Sequence, residues 1–228
     1  MGEANEKKTQ EKELKFLDST HTYLLDKRKV PSVTQLLKPI SRILYSHISL
    51  PILQRKAIIG SKVHKLIEYN SKYNLMPNEE TTNPEVLAYF NQYISWNNTL
   101  EHVALMESEF KGFFSKGKVK FAGTIDDIRM IGNDLVVTDW KTVATPNLMI
   151  LSLQLYGYKL IVEQRLKICP NKFQALCLGK ESYELVDLTD YVNDPSTKEL
   201  FDLLFKLDDL LRFSGLINDS DLYNEEDF

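Results

Sequence analysis

The chain has 228 residues, 43% apolar and 26% charged, enough to bury the core of one ordinary globular domain. The formal net charge of −4 is uneven: Asp219, Asp221, Glu225, Glu226 and Asp227 crowd acid into the last dozen residues, and the rest is near neutral, which neither demands nor excludes a nucleic-acid partner. Two cysteines, Cys169 and Cys177, are too few for a four-thiolate iron–sulfur cluster or a cysteine zinc site. No apolar run approaches the roughly 18 residues of a membrane span, and the start lacks an apolar signal core, so a soluble, cytoplasmic protein without a membrane partner is expected.

Residues 1–13 alternate charge with little apolar content and read as a disordered tail, 14–215 as a single domain, and 216–228 as an acidic tail. From Leu14, the apolar clusters around DST and DKRK read as a small β-hairpin, and Ser32 is placed to cap a short helix. Helical spacing follows at about 51–73, through Ile52, Ile59, Val63, Leu66 and Ile67, and again at about 83–96. Strand-like runs cover about 102–113, 118–131 and 134–141, and a helix opens at Thr145-Pro146 and runs to about Leu166. Strands near 172–178 and 182–187 and a leucine-rich helix over 197–213 complete the chain. That order predicts an α/β layer fold with a central mixed sheet flanked by helices, preceded by an N-terminal hairpin and helical segment.

The segment KFAGTIDDIRMIGNDLVVTDWKT carries the chemistry. Gly132-Asn133 suits a two-residue II′ or I′ turn; with Ile131 facing Asp134, Asp126 falls directly opposite Asp139. Like charges so placed repel unless a cation sits between them. Alternation puts Lys141 on the same face as Asp139 and sends Asp127, Thr138 and Trp140 to the other, while Gly123 leaves room for backbone or ligand. Hard oxygen ligands beside a lysine suit Mg²⁺ or Mn²⁺ and an anionic substrate such as a phosphodiester. A bare Asp-x-Lys, by contrast, is most often a salt bridge on an exposed hairpin.

Gly123-Thr-Ile-Asp126, Asp139-Trp-Lys141 and Gln154-x-x-x-Tyr158 resemble, in order and spacing, the RecB-type branch of the PD-(D/E)xK nuclease superfamily, and Gly60 and His64 in GSKVH match its upstream Gly-x-x-x-His helix. HTYLLDKRKVPSVTQLL is similar to the lead-in of phage recombination exonucleases and of the mitochondrial genome-maintenance exonuclease. The resemblance spans residues 60–158 or so. It implies a restriction-endonuclease-like core in αβββαβ order and a Mg²⁺- or Mn²⁺-dependent exonuclease acting on single-stranded or end-bearing duplex DNA, in phage-type recombination, repair or replication. A structure-selective endonuclease and a non-catalytic nucleic-acid-binding protein are the alternatives. The resemblance further implies that His64, Asp126, Asp139 and the carbonyl of Trp140 hold metal, that Lys141 assists the water, and that Gln154 and Tyr158 face the site. The cysteines of the CRISPR adaptation nucleases in this branch are absent, so no iron–sulfur cluster is implied.

Among the remaining charges, Glu68 follows His64 by one helical turn, and Glu107 and Glu109 lie in the strand before the aspartate hairpin; Glu68 and Glu109 are further candidate acids. Lys116, Lys118 and Lys120 alternate with non-basic residues and could line a nucleic-acid path on one strand face, or simply be solvated. The acidic tail DLYNEEDF suits a basic pocket on a recombination or single-strand-binding partner, or the protein's own cleft.

Overall fold

A computed structural model describes residues 12–17, 20–143 and 145–214. The acidic tail of 216–228 and most of the tail of 1–13 lie outside the described residues. Three short strands, β1 (Leu14–Leu17), β2 (Thr22–Leu25) and β3 (Arg28–Val30), form an antiparallel sheet, so the expected hairpin gains a third strand. Asp26 and Lys27 link the last two with φ of +50° and +65°, the paired left-handed residues of a I′ turn. Ser32 then caps α1 (Val33–Leu44) in a capping box with Gln35. Next come α2 (Leu50–Tyr73) and α3 (Pro84–Asn97), both with proline at the first turn.

The main sheet has the order β4 (Val103–Lys116), β5 (Val119–Ile131), β6 (Asp134–Lys141), β7 (Lys172–Leu178) and β8 (Tyr183–Asp187). Among the named strands of the described residues, β6 and β7 pair in parallel, across the crossover helix α4 (Leu148–Arg165), and the other neighbours pair antiparallel, which makes the sheet mixed. Two further helices, α5 (Thr189–Asn193) and α6 (Pro195–Phe213), follow. The short α5 was not legible in the sequence; its one buried residue, Val192, is too little for a period. Gly132 has φ of +61° and Asn133 is not left-handed, the II′ pattern, and the turn sets Ile131 against Asp134.

One sheet face packs against α1, α4 and α6 and the other against α2 and α3. Buried from Leu151 to Tyr158, α4 lacks a solvent stripe because α1 and α6 cover its back. At Gly157 a Cβ would meet Val33 carbons at 2.8 and 2.9 Å and Phe201 at 3.1 Å. Gly157→Ala should therefore cost about 1–3 kcal/mol through overpacking at this three-helix junction, read as a lower midpoint in urea unfolding. An unchanged midpoint would mean that the helices separate more easily than their packing implies.

Candidate metal centre

The site forms where β5 and β6 part. Their ladder runs from Ile131–Asp134 to Asp127–Thr138 and ends there, while β6 continues beside β7 to Lys141. A strand residue sends its N–H and C=O toward the same edge, so Trp140 presents both to the gap. Its N–H donates to Asp126 Oδ2 at 2.7 Å, and its carbonyl accepts from His64 Nε2 at 3.0 Å. Gly60 lets α2 come close, since a Cβ there would already lie 3.4 Å from Thr142 Oγ1.

The side-chain alternation of β4 and β5 also restarts at this level. Gly112 and Gly123 face Ile161 and Tyr158 of α4, whereas Arg129 and Asp127 face α3 and Ile128 returns to the α4 side. The offset falls at Asp126 and at Glu109, which sits opposite it between the pairs Ser108–Asp127 and Phe110–Ile125. Glu109 has φ of +52°, a conformation that costs an L-residue roughly 1–2 kcal/mol. Such strain persists where the surroundings over-determine it, as at a functional site.

His64 Nδ1 lies 3.5 Å from both Glu109 Oε1 and Asp126 Oδ1, and one ligand atom from each of the three residues falls within 4.8 Å of the others. Facing a carbonyl, Nε2 can only donate, which leaves the Nδ1 lone pair pointing at two carboxylates. That arrangement requires a cation: a proton on Nδ1 or a metal ion. One imidazole and two carboxylates form a donor set suited to a divalent metal ion, with the second ring nitrogen anchored to the Trp140 carbonyl as metal-bound histidines commonly are.

Burial alone would lower the His64 pKa, but Asp126 and then Glu109 outweigh it and lift it to about 10. A raised pKa means that this protonation stabilises the ion-free fold fully below the ordinary value of 6.5 and that the contribution vanishes as pH rises through about 10. A metal must displace the proton, so Mn²⁺ binding at pH 7 should release close to one proton, and its affinity should rise about tenfold per unit increase in pH. Calorimetry in buffers of different ionisation enthalpy measures this; no proton release would mean that the metal sits elsewhere.

Deeper toward α4, Lys141 Nζ lies 2.7 Å from Asp139 Oδ2 and donates to Gln154 Oε1 at 3.3 Å. Gln154 Nε2 donates to Asp139 Oδ1 at 2.9 Å and to the Tyr158 hydroxyl at 2.8 Å. Burial lifts Asp139 to about 6 against the pull of Lys141. Lys141 is held above its ordinary pKa: burial opposes its charge, but Asp139 and Asp126 more than compensate. It is therefore an ammonium at neutral pH. Burial would also raise Asp126, yet His64, and after it Lys141 and the Trp140 N–H, keep it below the usual carboxylate range.

His64, Asp126, Asp139, Trp140, Lys141, Gln154 and Tyr158 thus lie in two linked groups. Their arrangement differs from the expected one at two points: Asp126 turns to Trp140 and His64 while Asp139 turns to Lys141 and Gln154, so the acid that converges with Asp126 is Glu109, and the Trp140 carbonyl accepts from His64 Nε2 rather than facing the cluster. Asp139 Oδ2 is buried with its lysine near but without an aligned hydrogen bond, and so retains acceptor capacity. Gly123 admits no ligand; the space of its missing Cβ belongs to Tyr158 at 3.1 Å and Ile161 at 3.3 Å. Glu68 engages Lys65 at 3.2 Å and Lys72 at 3.0 Å on the surface of α2. Glu107 is exposed. Lys116 ends β4, Lys118 lies in the turn and Lys120 is in β5, so the three do not share one strand face. They stand about 23 Å along the hairpin from Glu109.

No family model and no curated protein matches the chain. Among solved structures, a protein of Eubacterium rectale provisionally named an exonuclease aligns over 86% of this chain and 88% of its own, at 12% identity and a TM-score of 0.47. The protein SSO0001 aligns over 65% of this chain and 74% of its own, at 15% identity and a TM-score of 0.32. Among the described residues no helix is long and apolar enough to cross a membrane.

Proposed function

We propose that the protein is a Mg²⁺- or Mn²⁺-dependent nuclease that hydrolyses DNA phosphodiester bonds as an exonuclease. The observation that carries the metal-dependent hydrolysis is the convergence of Glu109, Asp126 and the His64 Nδ1 lone pair on one point, next to the half-buried Lys141 and its buried partner Asp139. The sequence resemblance supplies the DNA substrate, action from an end and the context of phage-type recombination, repair or replication in the cytoplasm.

His64, Glu109 and Asp126 would hold the ion, with Asp139 alongside, while the Trp140 carbonyl anchors the far side of the His64 ring. A bound divalent cation polarises a phosphoryl oxygen and lowers the pKa of an attacking water. Lys141, being protonated, acts through its charge: it faces the negative charge that grows on the phosphoryl oxygens as the bond to water forms. Gln154 holds Lys141 and Asp139 in one geometry by bonding to both, and Tyr158 fixes Gln154 from the next helical turn. Asp126 orients the Trp140 amide and hence the carbonyl toward His64.

The test is purified protein with Mg²⁺, Mn²⁺ or EDTA on end-labelled linear DNA, circular DNA and RNA. Metal-dependent loss of linear DNA alone is expected. Cleavage of the circle would make the enzyme an endonuclease, and binding without cleavage would make it a nucleic-acid-binding protein.

A further inference from the structure

Away from the metal cluster, a cavity of about 370 Å³ opens between the β4–β5 turn, α4 and α6. Phe114, Phe201 and Phe205 give it an aromatic wall, and lysines stand at its rim. Lys198 is paired with Asp202 at 2.7 Å, whereas Lys116 and Lys206 are exposed and have no acidic partner among the described residues. Lys118 adds a further exposed cation in the adjoining turn. A partly open aromatic pocket under uncompensated lysines fits a ligand that is both apolar and anionic.

We propose that this cavity is the docking site of the chain's own acidic segment, residues 215–228. The segment GLINDSDLYNEEDF holds five acids and no lysine or arginine, interleaved with Leu222, Tyr223 and Phe228, so it matches the cavity in charge and in apolar content. It also starts in the right place. The helix that forms one wall, α6, runs to Phe213, and Gly215 follows two residues later, the residue type at which helices reverse direction. From Ser214 back to Phe205 is about 14 Å along the helix. Fourteen residues reach up to about 46 Å when extended, enough to turn and lie over the cavity. Docking within the chain also carries a high effective concentration, so one seated aromatic and two or three ion pairs suffice. This inference is independent of the nuclease reading.

Zero-length carbodiimide coupling of the full-length protein, which joins touching carboxylates and lysines, tests it when followed by peptide mass spectrometry. The expected products join Lys116 or Lys206 to acids between Asp219 and Asp227 within one chain, unaffected by dilution. They should disappear in about 1 M salt, where screening reaches 3 Å. Leu222→Ser/Tyr223→Ser/Phe228→Ser keeps every charge but removes the apolar contacts, and should lower the yield about tenfold, as expected for losing one buried side chain. Four results would overturn the proposal: coupling spread over remote lysines such as Lys62 and Lys172, coupling that falls on dilution and so joins two copies, no coupling at the cavity lysines, or full yield in the triple-serine variant.

Discussion

Asp126→Asn should reduce DNA cleavage by on the order of 10³-fold while leaving the fold intact, because the substitution preserves shape and removes only the charge. An asparagine oxygen can still accept the Trp140 N–H that Asp126 receives at 2.7 Å, so the parting of β5 and β6 survives. What disappears is the anion beside His64 Nδ1, and with it one of the two carboxylates that make that point attractive to a cation. The protein should keep its circular dichroism spectrum, lose measurable Mn²⁺ affinity and lose activity together. Lys141→Met separates the two effects: it should retain Mn²⁺ binding yet lose cleavage, since Lys141 contacts Asp139 and Gln154 and stands outside the His64 cluster. Cleavage at the parental rate in either variant would remove the site from the chemistry.

The largest effect on stability should come from the buried network between β5 and α3. Arg129 pairs with the fully buried Asp127 at 2.7 Å, donates to Asn97 at 2.5 Å and to the Tyr93 hydroxyl at 3.0 Å, and lies over the Trp96 ring. Tyr93 in turn meets Ser71, so the network ties α2 and α3 to β5. Burial lifts Asp127 to about 6 even with Arg129 beside it. Because that folded value exceeds the ordinary 3.8, ionising Asp127 costs stability as pH rises from 3.8 through 6, and Arg129 limits the cost. Arg129→Met should thus destabilise the protein by about 3–5 kcal/mol at pH 7, the penalty of leaving a buried charge unpaired. Asp127→Asn/Arg129→Met should recover most of the loss, since the pair itself contributes less than its breakage costs. Urea unfolding of both variants decides this; equal losses in the two would assign the cost to lost packing.

How much of this was legible in the sequence depended on whether the signal was periodic or positional. Gly132-Asn133 fixed the β5–β6 register, and the structure reproduces it pair by pair from Ile131–Asp134 to Asp127–Thr138. Register alone, however, put Asp126 face to face with Asp139. Where the ladder ends, Asp126 is free to take the Trp140 amide instead, and no propensity encodes where two strands part. Glu109 was legible only as a strand acid, because alternation assumes uninterrupted strands; its left-handed backbone and the offset of β4 are what bring it to His64. Gly123 and the three lysines show the converse. Each was a sound signal of close packing or exposed charge, but which element fills the space, and where a turn falls, is settled by tertiary contacts.

The most direct test of the metal centre is a crystal of the protein soaked in Mn²⁺ and measured for anomalous scattering. A single strong peak is expected within coordinating distance of His64 Nδ1, Glu109 and Asp126, and it should vanish in Glu109→Ala. A peak bound by Asp139 and Asp126 that is indifferent to Glu109, or no peak in this region, would contradict the account.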